Sequence, residues 1–588
     1  MTNGPAAFNG DPNQFSLSLT TVELTSGDVI RLPKSGVTAI VGPNNSGKST
    51  LLREITSHLN LGDHVAKQID RTFITRRTNI ELLGEEEDIL SWILQHAKLS
   101  TQGGRKTLSR PGASGISYGN IVERITNLSR RREPGLHELS QLFFFYGDAW
   151  QRIMGANPVE MRDNLDGAAT SPLHTLQDDK GLFDELCRLT KEVFGQTLTL
   201  DRLSKQINLR VGETGLPSPR IDEVSYEYRE ALAKLPHLLD QGDGMKSMIG
   251  LLTPLVTSAY PIVFIDEPEA FLHPPQAISL GRILGEQAKS KSTQVVLATH
   301  DRNLIAGLLQ SGADVSIVRL DRSKDDRTRA HQLNVEDLKQ IWDDPVLRYS
   351  NVLDGLFHKL VVLAEAEGDC RFYASAIDEF EPRDALPILP SDVLFVPGGG
   401  KDGLPRLARV LRSVNVPVVA SPDLDILNNR DKIRTLVEAM GGDWSTVDPD
   451  YRRAVAEFSQ PRENVRVSDI LSALNGIFSS RQDEPFSAAI SQEFRAQLRS
   501  KDSPWHRLKE FGELAFRQDP SSAQRLLAKL AELGVVAVRV GELERFAPQL
   551  GVSKGAAWLP AAIQAGAHRS DAVRAHVAAL LAAGGAGL

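Results

Sequence analysis

Cysteine is nearly absent from this chain. Cys187 and Cys370 are the only two in 588 residues, far apart and without a CxxC partner. That excludes a disulfide framework and a zinc knuckle, and it fits a reducing, cytoplasmic setting. The first residues carry no basic stretch followed by an apolar run, so no signal peptide is expected. Long apolar runs are also missing. The longest, 248–265, is broken by Pro254 and Pro261 and reads as a buried helix leading into a buried strand rather than a membrane span. Positive charge is not in excess either: 67 Lys and Arg stand against 75 Asp and Glu, a net charge of −8. Nucleic-acid-binding proteins usually present a basic face, so this balance counts mildly against one. It leaves room for a local basic strip beside clustered carboxylates. Internal repeats and low-complexity segments are absent.

What is present is ordinary for a soluble globular protein, with 41% hydrophobic and 24% charged residues. The length implies about three or four domains. Residues 15–32 alternate as half-buried strands do. A buried strand, a glycine-rich turn and a helix follow at 36–59. From about 70 to 236 the pattern is mostly helical and charged, and strand–helix alternation returns at 261–271 and 292–309. The polar run at 321–328 suits an exposed turn. After a helical stretch, three short β-rich runs end at Ala364, Pro397 and Ser421, separated by helical segments. The remainder reads as helical apart from the alternating Val536, Val538 and Val540, and it closes on an alanine-rich helix. The fold class expected is α/β.

The first chemical motif is Gly42-Pro43-Asn44-Asn45-Ser46-Gly47-Lys48-Ser49, a G-x-x-x-x-G-K-[ST] loop between a strand and a helix. Glycines let backbone N–H groups close around phosphates, and the helix N-terminus favours the anion. Asn44, Asn45, Gly47, Lys48, Ser49 and Thr50 are therefore expected to hold ATP. Lys48 reaches its outer phosphates and Ser49 ligates Mg²⁺. Ile262–Ile265 then ends in Asp266-Glu267, the Walker B pattern: Asp266 for Mg²⁺, Glu267 to polarise the attacking water. The Pro268–Pro274 stretch that follows resembles ABC-type ATPases of the DNA-repair kind. In those proteins a histidine just past the next strand, here His300, contacts the γ-phosphate.

An ABC signature is expected at a helix start shortly before Walker B, where Gln241–Ser247 departs from its usual wording but keeps Gly242 and Gly244. The pair either meets the γ-phosphate of a partner subunit, which implies a dimer, or only caps a helix. The surplus between Lys48 and Gly242 reads as an inserted helical arm for dimerisation or DNA. Within it, Ser129–Arg132 either meets a phosphate backbone or is a solvated helix face.

The second half concentrates carboxylates at strand ends. Glu365 follows the first run, with Asp369 four residues on; a glycine turn, Gly398-Gly399-Gly400-Lys401, follows the second; Asp423-Leu424-Asp425 follows the third. A parallel sheet gathers its strand C-termini along one edge, so these acids meet. Alternation puts Asp423 and Asp425 on one side. Packed carboxylates repel unless cations neutralise them, and hard oxygen ligands suit Mg²⁺ or Mn²⁺. Glu365 is preferred over Glu367 as the first acid, because four residues beyond Glu367 stands Arg371. Gly399, Gly400 and Lys401 either approach a DNA backbone or simply turn the chain.

An ABC-type P-loop ATPase with a helical insertion, followed by a Toprim (Rossmann-like) domain with helical additions, resembles the OLD (overcoming lysogenization defect) family. These are ATP-dependent endonucleases that include nuclease subunits of bacterial anti-phage systems such as Gabija. The resemblance implies an ATPase domain over 1–335 with its insertion at about 70–236, a connecting helix at 336–357, and a nuclease domain over 358–588. It implies cleavage of DNA at a two-metal site in which Glu365, Asp423 and Asp425 are catalytic and Asp369 is a further ligand. It also implies another metal-binding acid after the last strand, Glu542 ahead of Glu544, and a lysine, Lys554, that stabilises phosphate charge. Homo-oligomers, a defence-system protein or RNA partner, and no membrane association complete the expectation. A DNA-binding ATPase of the RecF or SMC kind without cleavage is the alternative. A topoisomerase is disfavoured because Tyr373 lacks a companion domain, and a primase because two distant cysteines build no zinc site.

Overall fold

A computed structural model describes residues 10–69, 73–102, 105–111, 115–129, 135–162, 169–220, 223–258, 260–322, 325, 327–333, 351–380, 388–413, 415–459, 467–479, 481, 484–487, 489–491, 493–494, 504–552 and 555–585. The chain divides into two compact units, Met1–Tyr349 and Ser350–Leu588. Most of the expected connecting helix at 336–357 lies outside the described residues; Asn351–Phe357 forms a 3-10 turn.

The first unit is built on a six-stranded sheet. All six residues of Gly36–Val41 are buried, as a central parallel strand covered on both faces requires. It is flanked by Gln294–Ala298 and Val315–Arg322, both parallel to it. Ile262–Asp266 pairs outside Gln294–Ala298, and Phe144–Gly147 forms the edge beyond it. At the other edge Thr328–Leu333 returns antiparallel, and Asp325 between the two strands lies exposed in a turn. On one face, Ile262, Phe264, Val296 and Ala298 share a core with helix Lys48–Leu61 and with a small antiparallel sheet of Ser16–Leu24, Val29–Arg31 and Thr75–Leu83. Helix Pro274–Ser290 packs on the strands from the other side. The unit is an α/β fold of the P-loop ATPase type.

The inserted stretch carries the helices expected of it, among them Glu86–His96, Tyr118–Ser129 and Lys180–Phe194. It also contains strands that its charged pattern did not announce: an antiparallel set at Lys98–Gln102, Arg105–Ser109 and Ile116–Ser117, and another at Val159–Glu160, Leu198–Asp201 and Gln206–Val211. Strands of two to six residues hold too few apolar alternations to stand out from helix surface. Arg130, Arg131 and Arg132 lie outside the described residues.

Residues 248–265 resolve as the sequence reading expects, into helix Asp243–Thr257 and strand Ile262–Asp266. Among the described residues no helix is long and apolar enough to cross a membrane. Helix Asp243–Thr257 is buried almost throughout and packs closely on helix Ala149–Gly155. A Cβ built at Gly250 would stand 1.7 Å from the Arg152 carbonyl oxygen, so only glycine permits that approach. Gly250→Ala is expected to destabilise the protein by about 1–3 kcal/mol, the usual range for overpacking. Gly119→Ala, at an exposed position of helix Tyr118–Ser129 with only one side-chain atom as near as 4.0 Å, is expected to stabilise it slightly, by roughly 0.5–1 kcal/mol. Urea unfolding of both variants measures the pair, and opposite signs are the expected result.

The second unit has three parallel strands in the order Val393–Pro397, Leu360–Ala364, Val418–Ser421. The expected strand at 536–540 is not a regular strand. It runs beside Val418–Ser421 as separate bridges, Ala420 with Val535 and Asp423 with Val538, extended by Val536 N–H to the Ala420 carbonyl (2.8 Å) and Leu424 N–H to the Gly541 carbonyl (2.9 Å). Gly541, at φ +115, bends the segment away before a regular ladder forms. Helices Glu367–Asp378 and Asp571–Gly585 close one face around Phe372, Tyr373, Val573 and Val577. Helix Leu404–Ser413 lies against Leu360–Ala364 and Val418–Ser421.

Candidate functional site

Two clusters of chemistry-bearing side chains emerge, one in each unit. In the first unit, the Gly42–Gly47 loop adopts backbone angles that favour glycine or asparagine, with φ +145 at Gly42, +63 at Asn45 and +96 at Gly47. Space is tight as well, since a Cβ at Gly42 would come within 2.3 Å of the Leu320 carbonyl oxygen. Lys48 curls back to donate to the carbonyls of Gly42 (2.9 Å) and Pro43 (3.0 Å). Burial lowers its pKa, opposed by the carboxylates of Glu267, Glu269 and Asp266. Ser49 Oγ donates to Asp266 Oδ1 at 2.9 Å, so the two side chains expected to share Mg²⁺ touch. Burial raises the Asp266 pKa against that bond. Asn44 and Asn45 are exposed, and Thr50 is half-buried in the first helical turn.

Glu267 occupies a left-handed conformation, φ +48, that is uncommon for a residue with a Cβ. Its N–H is bound by the Ala298 carbonyl (2.9 Å) and its own carbonyl accepts from Arg152 (2.8 Å). Arg152 escaped the sequence reading. Its guanidinium is fully buried and also donates to the carbonyls of Asp266 (2.6 Å) and Gly147 (2.9 Å) and to Ser247 Oγ (3.0 Å). It thereby pins the acidic turn to the helix that starts at Asp243. The turn presents the Glu267 carboxylate, 45% exposed, with Nδ1 of His300 3.5 Å away.

Glu269 was missed too. It is buried, and its Oε1 accepts from Thr299 Oγ1 (2.7 Å) and His300 N (3.0 Å) and lies 3.3 Å from the His300 ring. Burial raises its pKa. His300 is thus held from below by one acid while facing another. Gly244 is required within its own chain, because a Cβ there would meet the Phe271 carbonyl oxygen at 2.5 Å. Gly242 caps the helix and has nothing within 4 Å of its Cβ position.

In the second unit, Glu365, Asp423 and Asp425 converge, with one oxygen of each lying within 4.8 Å of the others. The cause is register. Ala364 pairs with Ser421, so the residues just beyond both strands emerge side by side, and Glu365 Oε1 accepts the Asp423 N–H at 3.0 Å. Leu424 between the aspartates is fully buried, which turns both carboxylates to the same side. Burial raises the Glu365 pKa, with Lys401 opposing and Asp425 and Asp369 adding repulsion. Asp425 resists the same burial. Hydrogen bonds and charge from Lys401 and Lys509 hold its pKa below the usual carboxylate value. Lys401 forms a close ion pair with Asp425 Oδ1, and Lys509 Nζ is 3.1 Å from Oδ2. The glycine turn at Gly399 (φ +69) and Gly400 (φ +102) aims Lys401 inward, a third possibility beyond the two the sequence offered.

Other expected ligands stand apart from this trio. Asp369 Oδ2 caps its own helix by accepting the Ala366 N–H at 2.8 Å, and its charge adds to the repulsion on Glu365. Glu542 is the extended residue before a 3-10 turn, Leu543–Phe546, that includes Glu544, and neither belongs to the group within 4.8 Å. Lys554 lies outside the described residues. Beneath the trio is a buried polar relay. Ser421 Oγ meets His576 Nε2 at 2.9 Å and also bonds the Tyr373 hydroxyl. Burial pushes His576 down to about 4 and the Tyr373 hydroxyl well up, so both are neutral near pH 7. Tyr373 is therefore a core residue and no nucleophile.

Three hard carboxylates at this spacing are the donor set that Mg²⁺ or Mn²⁺ accepts, and two ammonium groups on Asp425 show how much negative charge the pocket must offset.

Comparison with known proteins places the chain beside ATPases and a nuclease. Residues 158–306 match the family described as "AAA domain, putative AbiEii toxin, Type IV TA system". The chain is similar to the OLD nuclease of Thermus scotoductus, 26% identical over 445 residues that take in 68% of this chain and 79% of that protein. It is also 36% identical over 78 residues to an uncharacterized protein of Methanocaldococcus jannaschii, covering 13% of this chain and 67% of the relative. Solved structures that overlay include the SMC head domain from Thermotoga maritima (15% identity, TM-score 0.28, 54% of this chain and 99% of that one). Another is a cbiO1 subunit from Clostridium perfringens (13%, TM-score 0.27, 56% and 93%). Overlaps this loose carry no argument, and the ATPase fold rests on the strand order and loop geometry above.

Proposed function

We propose, from the chain's kinship with the OLD nuclease, that it is an ATP-hydrolysing enzyme whose second unit cuts DNA phosphodiester bonds with divalent metal. The observation that carries the reading is the convergence of Glu365, Asp423 and Asp425 at adjoining strand ends, in a chain that also has a folded ATP loop. On this reading residues 1–335 are an ABC-type ATPase with an insertion at about 70–236, and 358–588 are a Toprim nuclease domain. Glu365, Asp423 and Asp425 hold Mg²⁺ or Mn²⁺, which supplies water activation and stabilises the leaving oxygen. Lys401 and Lys509 already attend Asp425, and they are placed to hold a scissile phosphate beside it.

In the ATPase, Lys48 and Ser49 bind the phosphates, Asp266 shares Mg²⁺ with Ser49, and Glu267 takes a proton from the attacking water, with His300 beside it. The open face at Gly242 is the surface a second copy would bring to the γ-phosphate, making the working unit a homodimer around ATP. A role in anti-phage defence belongs to the same proposal.

The test is supercoiled plasmid incubated with the full chain in Mg²⁺, Mn²⁺ or chelator, with and without ATP, and with Asp423→Ala purified alongside. Metal-dependent nicking that the variant lacks is expected. Equal nicking by both preparations would mark a contaminant. ATP turnover without cutting in any metal would favour a DNA-binding ATPase of the RecF or SMC kind.

A further inference from the structure

Glu269 has no part in the chemistry assigned above, yet it is buried where Asp266 and Glu267 are not: its side chain is 4% exposed, against 45% for Glu267. Three groups just past strand Gln294–Ala298 converge on its Oε1: Thr299 Oγ1 at 2.7 Å, the His300 N–H at 3.0 Å and the His300 ring nitrogen Nδ1 at 3.3 Å. Oε2 is buried with no hydrogen-bond partner among the described residues. A glutamine would accept the first two bonds as well and bury no charge, whereas a buried carboxylate with an unmet oxygen is destabilising. Those two bonds therefore do not explain an acid at this position, and the third contact does.

Oε1 already accepts from two donors, so the ring nitrogen facing it is the protonated one, and Nδ1 carries the hydrogen. Nε2, on the far side of the ring, is then the atom left for a nucleotide. The same Nδ1 lies 3.5 Å from Glu267 Oε1. Without Glu269, that hydrogen would fall to Glu267 alone and engage the carboxylate that has to take a proton from water. Resting on the ATPase reading above, we infer that Glu269 is a positioning residue for ATP hydrolysis. It holds His300 by Nδ1, presents Nε2 to the nucleotide and keeps Glu267 free for water.

The charge of Glu269 is also felt by Lys48 and Arg152. A role in balancing Lys48 would show in ATP binding, and a role in holding the acidic turn would show in stability. Both are separable from a role in the hydrolytic step.

The experiment compares the full chain with Glu269→Gln, His300→Ala and the double variant, by phosphate release over a range of ATP concentrations. Glu269→Gln is expected to lower kcat by about 10–100-fold, the cost usual for a group that orients a working histidine, with KM for ATP within about twofold of the parent. In the His300→Ala background the same substitution is expected to change turnover by less than about threefold, because its effect passes through the ring. The cycle is repeated on the affinity for ADP with vanadate, a mimic of the transferring phosphate that needs no turnover, and the same non-additivity is expected. Unchanged melting temperatures show that the variants are folded. Glu269→Asp, which keeps the charge but draws Oε1 back from the ring, carries the same cycle should the glutamine variant unfold. The inference is overturned if Glu269→Gln turns over ATP like the parent, if KM rises while kcat holds, or if the two substitutions add in full. A parent that releases no phosphate overturns the ATPase reading itself.

Discussion

Glu267→Gln is expected to lower ATP turnover by roughly 10²–10⁴-fold, the span that a positioned general base contributes, while ATP binding persists. The side chain is placed for that role by its backbone. The acidic turn is clamped through Arg152 and the Ala298 carbonyl in a left-handed conformation, and the carboxylate faces outward beside His300. Glutamine keeps the length and the hydrogen-bonding reach and loses only the basicity. The groups that hold nucleotide, Lys48 and Ser49, keep their own contacts with Gly42, Pro43 and Asp266. Lys48→Ala should therefore behave differently and weaken ATP binding itself. Turnover is read by phosphate release and binding by a fluorescent ATP analogue. If ATP joins two copies across Gly242, the glutamine variant also accumulates an ATP-dependent dimer on size-exclusion chromatography. Turnover within about threefold of the parent would remove Glu267 from the mechanism, since that is less than 1 kcal/mol of barrier.

How much of this was legible in the sequence depends on how local each signal is. The phosphate loop, the Asp266-Glu267 turn and the three acids were readable because each follows a short apolar strand directly, and a parallel sheet collects such strand ends. Partners that arrive from elsewhere in the chain were not. Arg152 meets Ser247 across 95 residues and Asp266 across 114, and Ser421 meets His576 across 155. Nothing in the neighbourhood of Arg152 distinguishes it from a surface arginine on a short helix.

Glu269 differs, because its motif was noticed but its burial was not. The residue stands one turn past Asp266, and only the fold shows that Thr299 and the His300 backbone close over it. Lys509 belongs with Arg152, since it reaches Asp425 from a short helix, His506–Phe511, that carries no motif. The reading went astray where it extended a pattern past the point at which glycine ends it. The alternating valines at 536–540 suggested a full strand delivering Glu542 and Glu544, and Gly541 at φ +115 turns the chain into a 3-10 segment instead.

Asp423→Ala is expected to lower DNA cleavage by about 10²–10³-fold, because losing several kcal/mol of metal-supplied stabilisation costs a factor of ten for each ~1.4 kcal/mol. ATP turnover, measured at a site in the other unit, is expected to stay within about twofold, as for substitutions that share no partners. Asp423 is a cleaner choice than Asp425. The contact that ties it to Glu365 is made by its main-chain N–H and survives the substitution, whereas Asp425→Ala would strip Lys401 and Lys509 of their shared carboxylate and destabilise the pocket for unrelated reasons. Melting curves separate a metal site from a merely acidic one. Titrating Mn²⁺ should raise the parent's melting temperature, since a ligand bound only by the folded state stabilises it by mass action, and should raise the variant's far less. Equal metal-induced shifts in both proteins, together with undiminished cutting, would mean that the three acids do not form the cleavage centre.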